Sequence, residues 1–244
     1  MRAFLPSQHG LHFDNAFPEG PVIRIDFGVA TLGVGNAANG LCGGMVFTAL
    51  DYWTARRPPP ADRQPPAYGT PLFGYLRRRL IDSWRLPAGP LVYLRFMQPW
   101  YPDGERRSGP LTFHGRAWHI AVRQWPALRA DLDRGQPSPL GLVKVASAKP
   151  AEIGKNHQVL AYGYDLVNSA VTLHIYDPNQ ADNDHVTLSF DIGDPTAPSP
   201  VAMVPDVSAV PGVLYFFRVR YSSKSPPPAP TGGRVSARAA SDGE

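Results

Sequence analysis

A single cysteine, Cys42, stands in 244 residues, so no disulfide closes within the chain and any thiol chemistry runs through one sulfur. Long apolar runs are missing as well. No stretch reaches the eighteen or so uninterrupted apolar residues of a membrane span, and Met1-Arg2-Ala3-Phe4-Leu5-Pro6 opens without the apolar core of a signal peptide. The expected setting is therefore the cytoplasm, or export by a route that needs no signal peptide, with no membrane partner. Lysine is scarce, at four of the 24 basic residues. The arginines fall as Arg56-Arg57, Arg77-Arg78-Arg79 and Arg106-Arg107 rather than as a stripe, and no nucleic-acid-binding module accompanies them. Those clusters are expected on solvated helix faces or in loops, and nucleic acid is not an expected partner.

Metal-binding spacings are absent too. None of His9, His12, His114, His119, His174 and His185 falls in an HExxH or cysteine-linked zinc pattern. The oxygen-rich run Asp177-Pro178-Asn179-Gln180-Ala181-Asp182-Asn183-Asp184-His185 departs from a calcium loop: its fifth position is Ala181, its sixth Asp182 and its twelfth Leu188, where ligand, glycine and glutamate are required. No metal and no cofactor is expected, and the run reads as a solvated turn.

What is present is a globular composition, 43% hydrophobic and 11% aromatic, with the two kinds of periodicity segregated along the chain. Val46, Ala49, Leu50 and Trp53 repeat at helical spacing over about 42–56, and Pro58-Pro59-Pro60 stops that helix. Leu72 to Trp84 repeats in the same way, and a further helix is expected from Pro126 to Asp133 before Gly135. From Pro139 the pattern turns to strands: Leu140–Val145, the run from His157, Val171–Tyr176, His185–Phe190 and Gly212–Arg220. A β-like piece also appears at Val22–Phe27. The expected class is α+β, with helices over about 40–135 and an antiparallel sheet over about 137–221. Residues 222–244 hold Pro226-Pro227-Pro228 and small polar residues, and read as a disordered tail after a single folded unit, 1–221.

The chemistry gathers around the one sulfur. Cys42 lies in Asn39-Gly40-Leu41-Cys42-Gly43-Gly44-Met45, where a glycine-flanked turn meets a helix, so the thiol is expected to be exposed at a helix N-terminus. The free N–H groups and the positive end of the helix dipole there favour thiolate over thiol. His157 opens the run Asn156-His157-Gln158-Val159-Leu160-Ala161-Tyr162-Gly163-Tyr164, and Asp177-Pro178-Asn179 follows the next strand. Two adjacent antiparallel strands would bring these residues together. Either Asp177 or Asn179 would then accept the His157 Nδ1 hydrogen and hold the imidazole for a base. Asn39 is expected as the helix N-cap and Asn36 as a turn residue, while either amide could reach an oxyanion.

The order cysteine, histidine, carboxylate or amide, together with the Asn156–Tyr164 run, resembles the papain-like cysteine peptidases, whose histidine strand has a similar Asn-His-Ala-Val-Leu-x-x-Gly-Tyr pattern. Asp177-Pro178 is closer to a bacterial branch, the leader peptidases fused to bacteriocin transporters, where an Asp-Pro supplies the third catalytic residue. The resemblance implies a two-lobe fold, a helical lobe carrying the nucleophile packed on an antiparallel β lobe, with Cys42, His157 and Asp177 as the triad. Asn36 stands where papain-like enzymes keep a glutamine for the oxyanion hole, and no aromatic follows the nucleophile. The expected activity is hydrolysis of a peptide or other amide through an acyl-enzyme. An acyltransferase using the same thiol and a binding module on a catalytically degenerate scaffold are the alternatives.

Overall fold

In a computed structural model of the chain, the described residues are 3–17, 23–26, 31–34 and 41–228. The fold is mixed α/β, with the larger helices preceding the strands of a six-stranded antiparallel sheet. A short N-terminal helix, α1 (Pro6–His9), precedes a two-stranded ribbon of β1 (Ile23–Asp26) and β2 (Thr31–Val34), the first at the place where the β-like piece was expected. Then come α2 (Cys42–Thr54), α3 (Pro71–Trp84) and α4 (Ala88–Phe96). A small hairpin, β3 (Arg106–Ser108) with β4 (Leu111–Phe113), leads to α5 (Arg116–Trp118), a π-helical segment His119–Gln124 and α6 (Trp125–Asp133).

Local chemistry explains the ends of the helices. At α3 the Thr70 hydroxyl accepts from the Phe73 N–H at 3.3 Å, and Pro71 occupies the first turn, where its missing N–H matters least. The C-cap of α3, Arg85, has a left-handed backbone at φ 47°. Helix α2 closes at Ala55 and Arg56, two residues before the prolines expected to stop it, with Arg56 left-handed at φ 55°. Its N-cap is Leu41 rather than Asn39, and Leu41 gives no side-chain cap.

Gly43 and Gly44 are not a turn but the first turn of α2 itself. A Cβ on Gly44 would lie 2.3 Å from the Leu76 carbonyl oxygen, and one on Gly43 would lie 2.2 Å from Ser83 Oγ. The glycines thus let the start of α2 lie against the α3 backbone.

The main sheet runs in the order β10-β5-β6-β7-β8-β9: β5 (Ser138–Val143), β6 (His157–Val167), β7 (Ala170–Tyr176), β8 (Thr187–Asp191), β9 (Ala202–Val204) and β10 (Tyr215–Arg218). β6 is an inner strand, with Leu142↔His157 pairing on one side and Leu160↔Tyr176 on the other. A continuous core joins helix residues such as Met45, Leu50, Leu76 and Leu80 to strand residues such as Leu142, Val159, Leu173 and Leu188.

Two expectations about surface segments change. Arg79 is buried at 1% exposure rather than solvated, ion-paired with the fully buried Asp51 at 2.7 Å and with Asp82 at 2.7 Å. Arg77 and Arg78 stay exposed. Residues 222–228, assigned by composition to the tail, are held by that same network. The Lys224 N–H donates to Asp51 at 2.9 Å, Arg79 donates to the Ser222 carbonyl at 2.9 Å, and Tyr52 and Arg57 donate to the Pro226 and Pro227 carbonyls. A buried carboxylate and guanidinium must fill all their hydrogen-bonding positions, and the Lys224 N–H and the Ser222 carbonyl are among the partners they find. Residues 229–244 lie outside the described residues.

Candidate active site

Two elements meet at the site, the start of α2 and the head of β6 with the loop after β7. His157, the first residue of β6, is 6% exposed and Asp177, just past β7, is 1% exposed. The antiparallel pairing of β6 and β7 brings the two side chains together, and His157 Nε2 lies 2.7 Å from Asp177 Oδ1. The Cys42 side chain interacts with the same imidazole, and with Nε2 engaged by Asp177 it is Nδ1 that is left for the sulfur. The ring is therefore turned the other way from the sequence expectation, in which Nδ1 faced the carboxylate.

Asp177 is held from three sides. Oδ1 also accepts from the Asn179 N–H at 2.9 Å, and Oδ2 accepts from Gln180 Nε2 at 3.2 Å. Asn179 thus serves the site through its backbone. Its side-chain oxygen is occupied by Asn15 Nδ2 at 3.1 Å, so it is the Asp177 carboxylate that meets the ring.

Burial pushes the His157 imidazolium down, but the Asp177 carboxylate and the Cys42 sulfur outweigh it, and the histidine pKa is raised to about 10. For Asp177 burial pushes upward, and the His157 cation with the Asn179 and Gln180 donors holds the carboxyl below its ordinary value. Both directions describe one charged pair in a dry setting. Tyr93 of α4 adds a further support, donating to the His157 carbonyl at 3.2 Å. Its hydroxyl is pushed well above the ordinary tyrosine value, first by burial and then by the nearby Cys42 sulfur.

Cys42 is 8% exposed, more covered than the open helix end expected from sequence, because α2 packs against both α3 and β6 and its first side chain turns to His157. As the first residue of α2 its N–H has no acceptor within the helix and points out of the helix end. Asn36 and Asn39, the expected oxyanion amides, lie outside the described residues.

Reasoning from sequence missed Asn15, Tyr93, Gln158 and Gln180. Gln180 is three residues beyond Asp177 and was within reach of a closer look at that loop. Gln158 is 3% exposed beside the first turn of α2, where a Cβ on Gly43 would lie 2.7 Å from its Oε1. Asn15 and Tyr93 join the site only through tertiary contact. The other carboxylates of the oxygen-rich run are already engaged: Asp182 with His12 at 2.5 Å and with Arg63, and Asp184 with Ser7.

No family model, curated protein or solved structure matches this chain. Among the described residues, no helix is long and apolar enough to cross a membrane.

Proposed function

We propose that the protein is a cysteine hydrolase that cleaves an amide bond, on a papain-like plan in which a helical lobe presents the thiol to an antiparallel β lobe carrying the base. The observation that carries this reading is the single imidazole shared by Cys42 and by Asp177, the latter at 2.7 Å. A nucleophile, a base and a group that orients the base are the minimum for acyl transfer through a thiol.

In this mechanism the Cys42 sulfur attacks the substrate carbonyl carbon and forms the carbon–sulfur bond, placing negative charge on the carbonyl oxygen. The Cys42 N–H at the start of α2 donates to that oxyanion. His157 then gives its proton to the departing nitrogen as the carbon–nitrogen bond breaks, leaving a thioester and a free amine. Water loses a proton to His157 and adds to the thioester carbonyl, the carbon–sulfur bond breaks to release the carboxylic acid, and the sulfur and protonated His157 are back in their starting state. Asp177 stays ionised throughout and keeps Nε2–H fixed, so that Nδ1 remains aimed at the reacting atoms.

Labelling with a peptidyl acyloxymethyl ketone tests this. The expected result is one adduct, on Cys42, formed much faster than on a free cysteine and slowed by roughly a thousandfold or more in His157→Ala. Labelling of the wild-type chain at the rate of a free thiol would contradict the reading.

A further inference from the structure

We infer that Asn15 is a positioning residue for the Cys42–His157 pair, a role that rests on the hydrolase reading. Its amide bridges the two parts of the site: Oδ1 accepts from the Leu41 N–H at 2.7 Å, one residue before the nucleophile, and Nδ2 donates to Asn179 Oδ1 at 3.1 Å. Its own N–H donates to the Pro178 carbonyl at 2.9 Å. Asn179 in turn donates its backbone N–H to Asp177 Oδ1, the same oxygen that meets His157 Nε2. The contacts therefore close into a ring that runs Leu41–Cys42, His157, Asp177, Asn179, Asn15 and back to Leu41.

Such a ring sets a distance. Among the described residues, Asn15 ties the N–H just before Cys42 to the loop after β7, at a helix start that has no side-chain cap of its own. The rest of the N-terminal segment supplies the anchor. Ser7 donates to Asp184 through its N–H at 2.8 Å and its hydroxyl at 2.6 Å, Asp14 accepts from the Ala181 N–H at 2.7 Å, and the Leu11 N–H donates to Tyr176 Oη at 3.3 Å. Of these hydrogen bonds, only those of Asn15 also reach the N-cap residue of α2. An amide is required because one end must accept and the other donate; aspartate keeps the acceptor for Leu41 and loses the donor for Asn179.

The test is the pH dependence of Cys42 alkylation by iodoacetamide, with melting temperature measured alongside, in wild type, Asn15→Ala, Asn15→Asp, Asn179→Ala, the Asn15→Ala/Asn179→Ala double variant, Ser7→Ala and His157→Ala. Asn15→Ala is expected to slow alkylation near neutral pH by roughly ten- to a hundredfold and to move the profile toward that of His157→Ala. Asn179→Ala should do much the same and the double variant no more, since both break one ring. Ser7→Ala should lower the melting temperature and leave the profile in place. If Asn15→Ala does not fold, Asn15→Asp and Asn179→Ala decide the matter by the same profile. A wild-type profile in those variants, or single effects that multiply in the double variant, would overturn the positioning role while leaving the hydrolase reading intact. Identical profiles for wild type and His157→Ala would instead remove the hydrolase reading and this role together.

Discussion

His157 stands between two groups that both favour its charged form, and the consequence for stability has a definite sign. The histidine's pKa is raised, from its ordinary 6.5 to about 10. The stability it contributes is therefore complete below about 6.5 and is lost as the pH climbs through about 10. Asp177 works in the opposite sense. Its pKa is lowered, so its contribution is present above the ordinary 3.8 and disappears only as the pH falls through the lower folded value. Between these limits the pair is fully charged. The melting temperature of wild type minus that of His157→Gln should accordingly be largest below about 6.5 and shrink steadily toward about 10. A difference that stays constant across that window would mean that the ring holds no extra proton in the folded chain.

At the scale of elements, the approach of α2 to α3 decides where the sulfur sits. Gly44→Ala gains helix propensity worth about 1 kcal/mol. Against this, the new methyl would meet the Leu76 carbonyl oxygen at 2.3 Å, and that oxygen is backbone in the middle of a helix, unable to swing aside as a side chain does. Overpacking of this kind costs about 1–3 kcal/mol, so the net effect is destabilising. Thermal denaturation should show a melting temperature several degrees lower for Gly44→Ala, with slower labelling of Cys42 as the helix start shifts. An unchanged or higher melting temperature would mean that α2 and α3 are not in backbone contact there.

The same glycines show how far the sequence could be read. A Gly-Gly pair after a cysteine signals a special backbone, but a turn and a close helix crossing both demand it, and only the position of α3 separates them. The helix at Leu72–Trp84 and the strands from Pro139 onward were legible because periodicity and burial coincide in them. Strand β9 and the β3–β4 hairpin are three residues per strand, too short for any pattern. The pairing of His157 with Asp177 was legible because they flank adjacent strands. Which ring nitrogen faces which partner was not, since it depends on the side from which α2 approaches. Asn15 carries no local signal at all: its meaning comes from contacts 26 residues away at Leu41 and 164 away at Asn179.

For the molecule as a whole, a buried charge network and the site lie on the same helix. Cys42 begins α2, and Asp51, with no exposed surface, sits near its other end, where Tyr75, Arg79, Tyr221 and the Lys224 N–H all meet its carboxylate. Composition placed residues 222–228 in a tail because it counts apolar area, whereas what holds them is hydrogen bonding: Asp51 and Arg79 take the Lys224 N–H and the Ser222 carbonyl, and Tyr52 and Arg57 take the proline carbonyls. α2 is thereby fixed at both ends: at its start by Leu41 on Asn15 and Cys42 on His157, and near its end by Asp51 and Tyr52 on the C-terminal segment. The proposed site needs the Cys42 sulfur held against a charged imidazole, and the charge on the ring can be observed directly. Nitrogen-15 NMR of the His157 ring in the intact chain, recorded at about pH 8, should show both ring nitrogens protonated, well above the ordinary histidine value of 6.5, and the signal should change only near 10. A ring that is already neutral at that pH, with one bare nitrogen, would contradict the account.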